Sequence, residues 1–173
     1  MYELHQHEQY FFDDSTVHHL AVFLSRFESI CTLCTPMIGL ALNNLKKDVT
    51  ILDIDDRFSN AKGYLNWNIY KPQWINKTFD IIFCDPPFFN VSLSQLFKAI
   101  RMLSHNNFEQ KLMLGYLTRR SSAVTGSFHL FNLQLTGYYP SYVTVQKTEK
   151  NQIEIFSNLD EESNKLLVKP SLD

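Results

Sequence analysis

The chain consists of short, unbroken apolar runs separated by amphipathic stretches. Asp14-Ser15-Thr16 precede VHHLAVFLSRF, whose apolar residues recur at helical spacing, which predicts an N-capped amphipathic helix. Ser29 to Thr35, SICTLCT, reads as a short buried strand. Pro36 then suits the first turn of a helix, MIGLALNNLKK, because its missing N–H is one that a first turn leaves unpaired. Val49 to Asp55, VTILDID, reads as a second buried strand, followed by a looser segment with Tyr64, Trp67, Asn68 and Tyr70. Next come the strand FDIIFC, a turn at Asp85-Pro86-Pro87-Phe88, the helix SLSQLFKAIRMLS and the strand KLMLGYL. AVTGSFHLFNL reads equally as helix or loop, and QLTGYYPSYVTVQ and QIEIFSNL read as paired strands. Residues 160–173 are polar and are expected to fray.

Continuously apolar strands alternating with helices predict an α/β fold: a mostly parallel sheet with helices on both faces, right-handed crossovers and an antiparallel edge. One domain is expected over residues 1–173, with residues 1–28 as an N-terminal helical segment. In open sheets of this kind, ligands sit outside the carboxyl ends of the strands. Here those ends carry Thr35-Pro36, Asp53 with Asp55, and Asp85 to Phe88.

Composition narrows the function classes. A formal net charge of −2 is not that of a free-standing, strongly basic nucleic-acid binder, although it leaves room for a local basic face. Three cysteines, Cys31, Cys34 and Cys84, and no signal-peptide pattern in MYELHQHEQY point to a reducing compartment. No apolar run has membrane-spanning length, so a soluble, cytoplasmic protein is expected. Cys31 and Cys34 form a CxxC, but zinc needs about four ligands, and Cys84 with the histidines at 5, 7, 18 and 19 supplies no matching second pair. No metal is predicted.

Two consecutive prolines cannot continue a sheet or a helix, so a buried strand ends abruptly on a rigid turn with one carboxylate and the two rings of Phe88 and Phe89. Taken alone, this reads equally as a functional turn or as a strand terminator whose aspartate caps the next helix. The turn also resembles the (D/N/S)PP(Y/F/W) motif of amino-methyltransferases that use S-adenosylmethionine. The order of QYFFDDST, CTLCTP, LDIDDRF, FDIIFCDPPF and IEIFSNL, over roughly residues 9 to 159, is similar to the probable N6-adenine methyltransferase family. That family includes a ribosomal-RNA adenine enzyme, whose zinc-finger modules have no counterpart here, and an elongation-factor lysine enzyme. The resemblance implies a Rossmann-like class I methyltransferase with a seven-stranded sheet, and S-adenosyl-L-methionine as cofactor.

The residues then take candidate roles. Asp85 and the Pro86 carbonyl are expected to accept the two hydrogens of an exocyclic amine, with Pro87 stiffening the turn and Phe88 stacking on the base. Asp53, the first acid after the second strand, is the first candidate for the cofactor ribose and Asp55 the second, with a solvated acidic loop beside Arg57 as the plainer alternative. The resemblance adds Thr35 and Pro36, Asn68 and Asp85 to the cofactor set; Asn68 reads equally as a turn asparagine. Tyr10, Phe11 and Phe89 are candidates for the substrate pocket, with a hydrophobic staple as the alternative for the first two. Arg119 and Arg120 read either as phosphate contacts or as a solvated basic loop. Where other methyltransferases carry a Gly-rich loop, LCTPMIG offers only Gly39, a departure shared with the family.

The expected activity is methyl transfer to an adenine N6 amine in nucleic acid, RNA before DNA, with a protein partner for substrate recognition as a hypothesis from size and charge. A protein lysine ε-amine is the alternative substrate. A catalytically degenerate binding subunit is the alternative to an enzyme.

Overall fold

A computed structural model describes residues 1–169. The first helix, α1 (Asp14–Leu24), is capped one residue before the expected Asp14-Ser15-Thr16: Asp13 is the N-cap, and its carboxylate accepts from the Thr16 N–H. Strand β1 (Ser29–Leu33) leads to α2 (Pro36–Asn44), which has Pro36 in its first turn, and then to β2 (Asp48–Asp53). The looser segment holds a short strand, β3 (Tyr64–Asn66), only three residues long and largely exposed, so no apolar run announced it. Strand β4 (Ile81–Cys84) precedes α3 (Leu93–Leu103), capped by the Ser92 hydroxyl, and β5 (Lys111–Leu117) follows. The ambiguous stretch contains α4 (Ser121–Ser127) and a 3₁₀ turn, His129–Phe131.

Of the two strands expected near the end, β7 (Ile153–Ser157) forms as read, whereas β6 is only Gln134–Leu135. The rest of QLTGYYPSYVTVQ leaves the sheet; Tyr142 pairs instead with Phe12 through a single bridge. The frayed tail is corrected as well. Residues Glu161–Val168 form α5, capped by Asp160, with Leu167 buried against the core; residues 170–173 lie outside the described residues. Two glutamates in its first turn complement the helix dipole, a helix signal that the polar composition concealed.

The seven strands form one sheet in the order β3-β2-β1-β4-β5-β7-β6, with the first five parallel and β7 antiparallel to both β5 and β6. Helices cover both faces. Helices α1 and α2, with Leu167 of α5, pack on Ile30, Ile51, Ile81 and Phe83, while the opposite face holds α3 and the rings of Phe97, Phe108, Phe128 and Phe131 at 5.1–6.3 Å. Among the described residues, no helix is long and apolar enough to cross a membrane.

The strand order reverses between β1 and β4, which makes their carboxyl ends the expected ligand crevice. Register places the site. Leu33 pairs with both Leu52 and Cys84, so Cys34, Asp53 and Asp85 emerge side by side. Asp53 pairs with Asn66, which sets Trp67-Asn68 beside them, and Cys84 pairs with Leu114, which sets Gly115 against Asp85.

Candidate active site

A cavity of about 700 Å³ opens at this edge of the sheet. It is lined by Tyr10, Phe11, Thr35, Pro36, Asp53, Asp55, Asn68 and Asp85 through Phe89, so these predicted residues converge on one space. Arg119 and Arg120 do not line it. They sit exposed in the turn after β5, where the Arg119 Nε donates to the Lys150 carbonyl at 3.1 Å and the Arg120 guanidinium lies 5.8 Å from the Tyr116 ring centroid.

The β1–α2 turn explains how the chain does without a Gly-rich loop. Cys34 takes the left-handed conformation, φ +60°, that such a loop gives to glycine. Gly39 retains the packing role. A Cβ there would lie 2.5 and 2.7 Å from Ile51 side-chain carbons, so only glycine lets α2 approach β2 this closely. At the start of α2, the Thr35 hydroxyl is buried at the cavity wall with no hydrogen-bond partner among the described residues, beside the positive end of the helix.

The acids at the end of β2 divide the work. Asp53 is buried, and its Oδ1 accepts from the Asp55 N–H at 2.9 Å; desolvation pushes its carboxyl up to about 6. Asp55 is committed elsewhere. The Arg57 guanidinium donates to it from Nε at 2.9 Å and from Nη2 at 2.6 Å, Gln9 adds a bond at 2.8 Å, and the Arg57 bonds hold its carboxyl at about 2. Asp55 therefore ties the N-terminal segment to β2, and Asp53 keeps the free acceptor capacity. Asn68 uses its Oδ1 in a turn, accepting from the Tyr70 N–H at 2.8 Å, while its residue still faces the cavity.

At the end of β4, desolvation pushes the Asp85 carboxyl up to about 7, with the Glu8 charge adding to the rise. The Tyr142 hydroxyl donates to it, lying 2.9 Å from Oδ1 and 3.0 Å from Oδ2, and opposes the shift. Pro86 is buried, and Phe88 packs edge-on against Tyr116 at 5.1 Å; Phe89 is 74% exposed at the mouth. Beyond the prolines, the Glu8 carboxylate accepts from the Phe89 and Asn90 N–H groups at 2.7 and 3.1 Å, clamping the loop to the N-terminal segment. Tyr10 is 38% exposed and stacks on His5, whereas Phe11 is buried edge-on against Phe58.

Tyr142, Glu8, Gln9, Arg57 and Gly115 were absent from the sequence-based candidates. Tyr142 and Glu8 meet the turn across 57 and 81 or more residues of chain, and neither carries a local motif. The glutamine of QYFF was in view, but only the fold sets it against Asp55.

The profile of the probable N6-adenine methyltransferase family matches residues 3–161. No curated protein sequence matches the chain. Among solved structures, a TehB-like S-adenosylmethionine-dependent methyltransferase from Corynebacterium glutamicum aligns with TM-score 0.57 at 14% identity, over 84% of this chain and 88% of that one. Magnesium protoporphyrin IX methyltransferase from Synechocystis, solved with bound S-adenosylmethionine, gives 0.55 at 12% identity over 83% and 77%. A "putative RNA methyltransferase" of Pyrococcus horikoshii gives 0.55 at 14% over 90% and 89%. These likenesses establish a shared fold. With the strand order, the crevice at its reversal and the Asp85-Pro86-Pro87-Phe88 turn, the profile match shows that the chain belongs to the probable N6-adenine methyltransferase family and is an S-adenosylmethionine-dependent methyltransferase.

Proposed function

We propose that the protein methylates the exocyclic N6 amine of an adenine in RNA. The observation that carries this reading is the Asp85 carboxylate in the cavity, one rigid Pro-Pro step from the Phe88 ring.

The residues present fit the cofactor. Thr35 offers a buried hydroxyl without a partner next to a helix N-terminus, which suits the carboxylate of an amino-acid moiety. Asp53 has acceptor capacity left for a ribose diol, and the Asn68 amide is available to a purine edge. When bound, S-adenosylmethionine supplies an electrophilic methyl group.

The protein must supply the rest. An adenine amine is a weak nucleophile because its lone pair is delocalised into the ring. Asp85 and the Pro86 carbonyl accept its two hydrogens and orient the lone pair, and both contacts strengthen as the nitrogen becomes cationic. Asp85, with its carboxyl near 7, then takes the proton that the nitrogen sheds. Phe88 holds the base by stacking, a contribution of about 1–3 kcal/mol. A loop or single strand offers that base without the cost of extracting it from a duplex. The exposed Arg119 and Arg120 would meet its phosphates outside the cavity.

One observation favours a lysine ε-amine instead. The cavity lining includes Glu8, Asp53, Asp55, Asp56 and Asp85 and no lysine or arginine, a surface that attracts a cation. Transfer of a radioactive methyl group to fractionated lysate separates the two readings. Label that ribonuclease removes supports the RNA reading, and label that only protease removes refutes it.

A further inference from the structure

The geometry points to Tyr142 as a positioning residue, which favours the ionised over the protonated form of the Asp85 carboxyl and fixes it in the orientation that accepts the substrate amine. The inference rests on the proposed role of Asp85, and it assigns a function to the loop between β6 and β7, where the sequence has no motif. Three observations support it. The Tyr142 hydroxyl lies within hydrogen-bond distance of both Asp85 oxygens, at 2.9 and 3.0 Å, so its single proton is shared between them. A phenol is a donor to a carboxylate, and a bond to the charged form favours that form.

The phenol is itself held. Its ring packs at a tilt on Phe12, with centroids 4.8 Å apart, its backbone bridges Phe12, and Phe12 packs in turn on Phe83 of β4. On the other side, Gly115 of β5 leaves the space the carboxylate occupies; a Cβ there would lie 2.6 Å from Asp85 Oδ1. The strand spacing and the packed rings thus fix the acid from two directions.

The other titratable groups facing Asp85 do not help its ionisation. Glu8 on the N-terminal segment is acidic and raises its carboxyl further. Cys34 at the end of β1 and Cys84 on β4 are desolvated thiols held in the neutral form. Burial and the neighbouring acid likewise keep Tyr142 neutral, hence a donor. Among the described residues, Tyr142 is the side chain that donates a hydrogen bond to Asp85.

Tyr142→Phe removes the hydroxyl and keeps the ring against Phe12. The direct readout is the Asp85 carboxyl ¹³C signal followed against pH, which needs no substrate. The expected result is a titration midpoint higher by about one pH unit or more, equivalent to about 1.4 kcal/mol. In turnover, kcat near pH 7 falls about fivefold for a one-unit rise, its acidic limb moves up with the midpoint, and KM for S-adenosylmethionine stays as it was. Gly115→Ala, which pushes the carboxylate off its seat, should move the midpoint in the same direction and serves if Tyr142→Phe does not fold. An unmoved midpoint in the folded variant overturns the assignment. Because the midpoint is read on the free protein, it decides the matter even if the substrate proves not to be adenine.

Discussion

Asp85→Asn should make the protein more stable at pH 8, although it removes the proposed catalytic base. In the folded chain the carboxyl is raised from its ordinary 3.8 to about 7, chiefly by desolvation. Between those values the folded state holds a proton that the unfolded chain has released, so stability falls as pH rises through the window and stays low above it. The full shift corresponds to about 4 kcal/mol at the upper limit. Asparagine carries no charge and keeps a carbonyl oxygen for the Tyr142 hydroxyl, so it escapes most of that penalty. Allowing about half for relaxation and water penetration leaves about 2 kcal/mol, or about 4–8 °C in Tm for a chain of this length. The assay is thermal unfolding of both proteins from pH 4 to pH 8.5. The advantage of Asp85→Asn should be greatest above pH 7 and shrink toward pH 4, where the folded carboxyl is protonated and the unfolded one is close to its own midpoint. A difference that is zero, or constant across pH, refutes the claim that Asp85 is held against its own ionisation.

Gly39→Ala should destabilise by about 1–2 kcal/mol, since overpacking against Ile51 outweighs the gain in helix propensity. Ile51→Ala removes both obstructing carbons, Cγ1 and Cδ1, so the double variant should lose less than the sum of the two single losses in the same melting assay. Asp53, raised to about 6, is ionised above that value, so S-adenosylmethionine binding by calorimetry should weaken severalfold between pH 7.5 and pH 5. Asp53→Asn should bind at least about tenfold more weakly and lose that pH dependence, since a hydrogen bond to a charged group contributes about 1.5–3 kcal/mol.

Much of the scaffold could be read from local signals. Apolar runs gave β1, β2, β4 and β5, because strands buried on both faces have no polar side to conceal them, and β7 was legible from the β-branched and aromatic residues of IEIF despite Glu154. Pro36 marked the start of α2, and the Pro-Pro step marked the end of β4. Failures came where a few apolar contacts decide a mostly polar element. Strand β3 is fixed by pairing with β2 rather than by its own side chains, and α5 is held by Leu167 and an Asp160 cap. In the candidate site, acids at strand ends were legible because register makes them neighbours. How Asp53 and Asp55 divide their contacts was not, because it depends on Gln9, 46 residues from Asp55. Cys34 was hidden for another reason: a non-glycine residue at φ +60° leaves no trace in a sequence that is searched for glycines.

The central claim is that Asp85 directs a methyl group to an adenine amine. The most direct measurement is incubation of the purified chain with S-adenosylmethionine and total RNA, followed by nucleoside mass analysis, with Asp85→Ala in parallel. N6-methyladenosine formed by the native chain and lost in the variant is the predicted result. RNA left unmethylated by a chain that binds the cofactor, with methyl-lysine in added protein instead, would contradict it.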